Sequence, residues 1–129
     1  MGRRCRSCVD LLVKFVQHSD WLLSHIERHK RVERKLGAEP EKWLVYGLPE
    51  EVWRDAKSAL ETMRGWAVEF RECLPSHAKG VLTRALNEME MGIERRSYDL
   101  LREGVSRINM NSATYWPWHV AEACQREVE

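Results

Sequence analysis

The stretch from Pro49 to Leu74 constrains this chain more than any other. Val52, Ala56, Ala59, Met63, Trp66, Phe70 and Cys73 recur in steps of four and three, and Trp53, Leu60, Ala67 and Leu74 widen the stripe by one position. An apolar face of that width, at helical period, belongs to a helix packed against other helices. Pro49 suits a first helical position, where its missing N–H costs nothing, and Glu50 and Glu51 lie well against the positive end of the helix dipole. Pro75 pushes Leu74 out of helical backbone and stops the run. The opposite face carries Arg54, Asp55, Lys57, Glu61, Arg64, Arg71 and Glu72, with Glu50–Arg54 and Lys57–Glu61 at supportive spacing.

A buried helix of this kind needs partners of the same type, and the flanking segments supply them. From Cys5 to Leu36, the positions Cys5, Cys8, Leu12, Phe15, Ser19, Leu22 and Ile26 keep the same alternation. The next two stripe positions are His29 and Glu33, before Leu36 restores the pattern and Gly37 offers a stop. One long helix is expected here, with a break at His18-Ser19-Asp20 as the alternative. Pro40 to Gly47 reads as a short connector helix lying across one end of the bundle. After Pro75, Ser76 opens a third helix to about Ile108, carrying Leu82, Leu86, Met89, Ile93, Ser97, Leu100 and Gly104. Its glycines Gly80, Gly92 and Gly104 point to close approach by a neighbour, Trp53 or Trp66, or to a kink near Gly92. Asn109–Thr114 reads as a turn, and Pro117 opens a short final helix bearing Val120, Ala121, Cys124 and Val128. No strand-like alternation is evident. The expected fold is all-α: a single domain over 1–129, an antiparallel bundle of three long helices with a short connector helix and a short C-terminal helix.

Composition narrows the function classes. The net charge is +1, so no global field draws the chain to nucleic acid or membrane. Residues 1–36 carry a net +5 and residues 37–129 a net −4, an asymmetry that suits an acidic partner or self-association. No apolar run approaches the roughly 18 residues of a membrane span, and the basic start Met1-Gly2-Arg3-Arg4 leads into no secretory h-region. The four cysteines therefore read as reduced thiols in a cytoplasmic protein.

Three constellations compete for the function. Cys5-x-x-Cys8 with His25-x-x-x-His29 has the residue types of a zinc site. Yet on one continuous helix Cys8 and His25 stand roughly 25 Å apart, so such a site requires the chain to fold back near Ser19. His25, His29 and Glu33 also line one helical face, but the central helix adds no histidine to complete a bundle metal site. Arg28, Lys30, Arg31, Arg34 and Lys35, with Arg3, Arg4 and Arg6, could contact a phosphate backbone without reading sequence. No phosphate loop, nucleophile elbow or His-Glu-x-x-His motif is present.

The third constellation is aromatic. The chain has six Trp, more than a three-helix core has room for, and Trp and Tyr favour contact surfaces. Tyr115-Trp116-Pro117-Trp118-His119 is the densest cluster, with two readings: Trp116 and Trp118 form a contact surface, or both rings close the bundle end and hold the last helix in place. Trp43 lies in the connector. The expected function is non-enzymatic protein binding as a regulator, inhibitor or adaptor, through Tyr115, Trp116, Trp118, Trp43, Arg31, Arg34 and Lys35. Homodimerisation is compatible with it, and no cofactor is called for. Nucleic-acid binding through the first helix is the alternative, and a zinc module through Cys5, Cys8, His25 and His29 the third reading.

Overall fold

A computed structural model describes residues 3–34 and 44–128. Five helices carry the fold: α1 (Arg3–His29), α2 (Glu50–Phe70), α3 (Ser76–Arg95), α4 (Tyr98–Thr114) and α5 (Trp116–Val128). Two short strands, β1 (Arg31–Arg34) and β2 (Leu44–Gly47), pair antiparallel after α1. The class is all-α, as the periodicity predicts. α1 lies against α4, α2 and α5, while α3 pairs most extensively with α4 and also with α2.

The central helix forms where the stripe places it. Val52, Trp53, Ala56, Ala59, Leu60, Met63, Ala67 and Phe70 are all buried. Pro49 is the N-cap residue, in extended backbone, rather than the first helical one, and a 3-10 turn over Arg71–Cys73 closes the segment. From α1, Phe15, Leu22 and Ile26 meet this face, joined by Leu82, Leu86 and Met89 of α3 and Leu101 and Ile108 of α4. Removing a side chain of this size from water stabilises the fold by about 1.5–3 kcal/mol.

α1 is continuous through Ser19, so the alternative break does not occur. Ser19 is fully buried. Its hydroxyl donates to the Val16 carbonyl at 3.2 Å and accepts from the Asn109 side chain of α4 at 3.1 Å, which satisfies a polar group on the core face. The helix ends at His29, not Leu36. His29 and Glu33 would have put polar groups on the core-facing stripe, and Arg31–Arg34 instead finds a strand partner in Leu44–Gly47. The connector helix over Pro40–Gly47 is corrected accordingly: Leu44–Gly47 is strand, with Val45 and Tyr46 suited to it, and Pro40–Trp43 lies outside the described residues. A Cβ at Gly47 would meet the Glu33 carboxylate on the paired strand, the end of a flexible side chain that is 46% exposed and can move aside.

The expected third helix is two. α3 stops at Arg95, Arg96 takes the left-handed conformation (φ 52°, ψ 41°), and Ser97 caps α4 by accepting from the Leu100 amide at 3.3 Å. The chain reverses, and α4 packs back along α3. Gly92 and Gly104 permit this: a Cβ on Gly92 would strike the Leu101 backbone, and one on Gly104 would strike Ala85 and Met89. The close neighbours are therefore the two halves of this hairpin, not Trp53 or Trp66. α4 then continues to Thr114, where a turn had been expected from Asn109 onwards. Asn111 and Ser112 sit there buried, bonded to the Arg107 and Asn109 carbonyls.

Two disulfides fasten one end of the bundle. Cys5 and Cys8, one turn apart on α1, bond to Cys124 of α5 and to Cys73 of the 3-10 turn. The expectation of four reduced thiols is thereby overturned. The pairs join positions 119 and 65 residues apart, and crosslinks over such spans stabilise a chain by about 4–5 kcal/mol each on loop-entropy grounds.

Candidate protein-binding surface

The corner between α4 and α5 sorts its aromatic side chains to opposite sides. The Tyr115 amide donates to the Asn111 carbonyl at 3.0 Å, prolonging α4, and the Trp118 amide donates to the Tyr115 carbonyl at 3.1 Å as α5 begins. Pro117 occupies the first turn of α5, where its lack of an N–H leaves no bond unmade. Trp116, Val120 and Cys124 then share the inward face in steps of four, the first two buried and the third held in its disulfide. Tyr115 and Trp118 fall on the outward side, 57% and 73% exposed.

Trp116 is a core residue, 1% exposed. Its ring meets Phe15 edge-on at 5.8 Å and Phe70 at 5.5 Å, while Phe15 and Phe70 lie 5.1 Å apart and Trp66 closes on Phe15 at 5.6 Å. Such aromatic pairs add about 0.5–1.5 kcal/mol beyond their buried area. The expectation that Trp116 lies on the contact surface is not met, because its indole fills the space between α1 and α2. Beside Trp118, the His119 ring packs edge-on to His77 of α3 at 5.3 Å, and its Nδ1 is enclosed without a partner. On the preceding turns of α4, Met110 is exposed at the edge of a groove of about 520 Å³ that Val81 of α3 also lines.

The other expected binding residues do not join this corner. Arg31 lies in β1, past the end of α1 at His29, and that end is roughly 21 Å along the helix from the level of Phe15 at about 1.5 Å per residue. Its guanidinium bonds Glu33 at 3.1 Å. Arg34 is in the same strand, and Trp43 and Lys35 lie outside the described residues. The basic cluster is also partly neutralised. Lys30 pairs with Glu27 at 2.9 Å and stands over the Tyr46 ring at 4.8 Å, and at the other end of α1 Arg4 bonds the Glu72 carbonyl at 2.8 Å.

The zinc set does not assemble. Both cysteine sulfurs are consumed in disulfides, and α1 holds Cys8 and His25 more than four turns apart. His25 instead bonds Asp55 of α2 at 3.0 Å, and the His29 Nδ1–H donates to the His25 carbonyl at 2.9 Å. Trp21 is sandwiched between His18 and His25, with ring centroids 5.5 and 5.1 Å away, so both indole faces are covered although the side chain is half-exposed. Burial lowers the pKa of His18. Among the described residues, no group of three or more His, Cys, Asp or Glu is arranged to hold a metal, and no helix is long and apolar enough to cross a membrane.

One polar cluster escaped sequence reading. Glu27 of α1 accepts from the Tyr98 hydroxyl, from Arg102 at 2.6 Å and, through its second oxygen, from Lys30 at 2.9 Å. Burial alone would raise its pKa, but the bonds from Tyr98, Lys30 and Arg102 outweigh that and hold it down to about 2. Burial and the Glu27 carboxylate together raise the Tyr98 pKa. The cluster joins the C-terminal end of α1 to the start of α4.

No family model, curated protein or solved structure matches this chain.

Proposed function

We propose that this chain is a non-enzymatic protein-binding module, acting as a regulator, inhibitor or adaptor, with Tyr115 and Trp118 as its contact residues. The observation that carries the reading is the 73% exposure of Trp118 on a corner whose backbone is held by the buried Trp116. A large aromatic ring presented from ordered backbone loses little freedom on binding, and Trp and Tyr are the residue types that dominate binding hot spots. A groove lined by Val81, Ser106 and Met110 lies between α3 and α4, the helix that leads into this corner.

The nucleic-acid alternative draws less support, since Lys30 and Arg31 each have an acidic partner within the chain. A cytoplasmic setting also loses the support it had. Structural disulfides persist in oxidising compartments and in the intracellular proteins of hyperthermophiles, so the two crosslinks favour one of those settings for this module.

The test is affinity capture from the native host with nuclease present, using the parent chain and Trp118→Ala as parallel baits. The reading expects a specific protein retained by the parent and lost, by a hundredfold or so in affinity, with Trp118→Ala, about 2–3 kcal/mol for a hot spot. Equal retention by both baits, or retention abolished by nuclease, overturns it.

A further inference from the structure

Among the described residues β1 and β2 form a two-stranded ribbon, and its outer edge carries a self-complementary pattern. β2 is the strand that lies against α4, and its Tyr46 ring contacts Tyr98 at 5.5 Å. β1 is the outer strand. Beyond its pairing with β2, no backbone hydrogen bond engages it among the described residues. A ribbon of two strands is marginal alone, and an open edge can accept another strand.

The side chains on that edge select both the partner and the register. Val32 is 58% exposed, flanked by Arg31 and Glu33, which bond each other along the strand at 3.1 Å. Charged side chains on a short edge strand usually discourage pairing, most of all where like charges would meet across it. Here the charges alternate about an apolar centre. Consider a second copy of β1 laid antiparallel with Val32 opposite its own counterpart. Arg31 then faces Glu33 of the other copy, and Glu33 faces Arg31, so two opposite-charge cross-strand pairs form. A shift by one residue would set side chains of opposite faces against each other, which a two-fold antiparallel pair does not allow. A shift by two sets Glu33 opposite Glu33 or Arg31 opposite Arg31, both repulsive. The favoured register sets Lys30 opposite Arg34 in sequence at each end of the ladder, a like-charge pair outside the two favourable ones.

The same register aligns apolar surface. Val32 pairs directly with Tyr46 across the existing ribbon, and residues directly opposite share a face. Joining two ribbons through β1 therefore gives one row across four strands: Tyr46, Val32, then Val32 and Tyr46 of the second copy. Both residue types in the row are exposed in the single chain, Tyr46 at 47%. We propose that the chain forms a two-fold dimer by pairing β1 with β1 of a second copy, Val32 on the axis and Arg31 opposite Glu33. A two-fold contact of this kind is closed, so it stops at two copies. Four-residue strands bury little area, so the dimer is a weak, concentration-dependent one.

Sedimentation equilibrium on the full chain with its disulfides intact, from about 1 μM to about 1 mM, tests this. The parent is expected to show a monomer–dimer equilibrium. Val32→Lys should be monomeric throughout, and because the residue is mostly exposed its circular dichroism and thermal midpoint at the lowest concentration should match the parent. Arg31→Glu and Glu33→Arg should each weaken the dimer at least tenfold, and the double variant Arg31→Glu/Glu33→Arg should recover it, since opposite charges again face each other. A parent that stays monomeric at the highest concentration overturns the proposal. So does a dimer that survives Val32→Lys, a double variant weaker than both singles, or a dimer abolished instead by Trp118→Ala, which would move the contact to the α4–α5 corner.

Discussion

Glu27 ties two helices together through charge, and its effect depends on pH with a definite sign. Its folded pKa of about 2 lies below the value of 4.5 for a free side chain. A carboxylate depressed in this way stabilises the fold above its unfolded pKa, and that stability is lost as pH falls through the folded value. The side chain is 31% exposed, so solvent screening reduces the effect to on the order of 1 kcal/mol. Between pH 4.5 and 2 the parent should therefore lose more stability than Glu27→Gln, measured as denaturation midpoint against pH. Parallel curves for the two proteins would remove Glu27 from the account. Nothing in the sequence marks this cluster, because Glu27 and Tyr98 are 71 positions apart and meet only once the α3–α4 hairpin has turned. Trp116 is a different case. Its spacing with Val120 and Cys124 was open to inspection, and starting the last helix at Pro117 hid it.

At the scale of elements, the two strongest stripes read correctly because burial and periodicity agree along their whole length. α2 ends within a few residues of its expected limits, and α1 fails only where its stripe turns polar at His29. The strands were hidden because Arg31–Arg34 is charged at three of four positions, and a four-residue ribbon has too few residues to alternate visibly. The α3–α4 break was masked by the coincidence that Leu82, Ile93 and Gly104 recur at helical period across it. The local signal lay in Ser97, treated as a stripe member although it is a strong N-cap residue with Asp99 in the turn that follows. Ser97→Ala removes the acceptor for the Leu100 amide and should cost about 1 kcal/mol, seen as a lower denaturant midpoint with unchanged slope. An unchanged midpoint would mean the reversal is held by Arg96 alone, whose side chain bonds the Ile93 carbonyl at 3.0 Å and Glu50 at 2.6 Å.

For the whole molecule, the disulfides and the aromatic core place one end of the bundle under firm constraint. Cys5 to Cys124 fixes α5 to α1, the Cys5 amide donates to Glu127 at 2.7 Å, and Cys8 to Cys73 fixes the end of α2. Spacing along the chain carried no trace of these pairs, since partners 119 and 65 residues apart are defined only by the fold. The consequence for function is that α5 is held from its inner face while its outer face remains available. Stability and binding should then separate between two neighbouring tryptophans. The direct measurement is the thermal midpoint of Trp116→Ala and Trp118→Ala beside the parent, disulfides intact. Deleting the buried Trp116 ring should cost about 3–5 kcal/mol and lower the midpoint by on the order of 10 °C or more, while Trp118→Ala should stay within about 0.5 kcal/mol of the parent. A Trp118→Ala midpoint that falls as far as that of Trp116→Ala would make Trp118 part of the structural core and contradict the surface proposed for it.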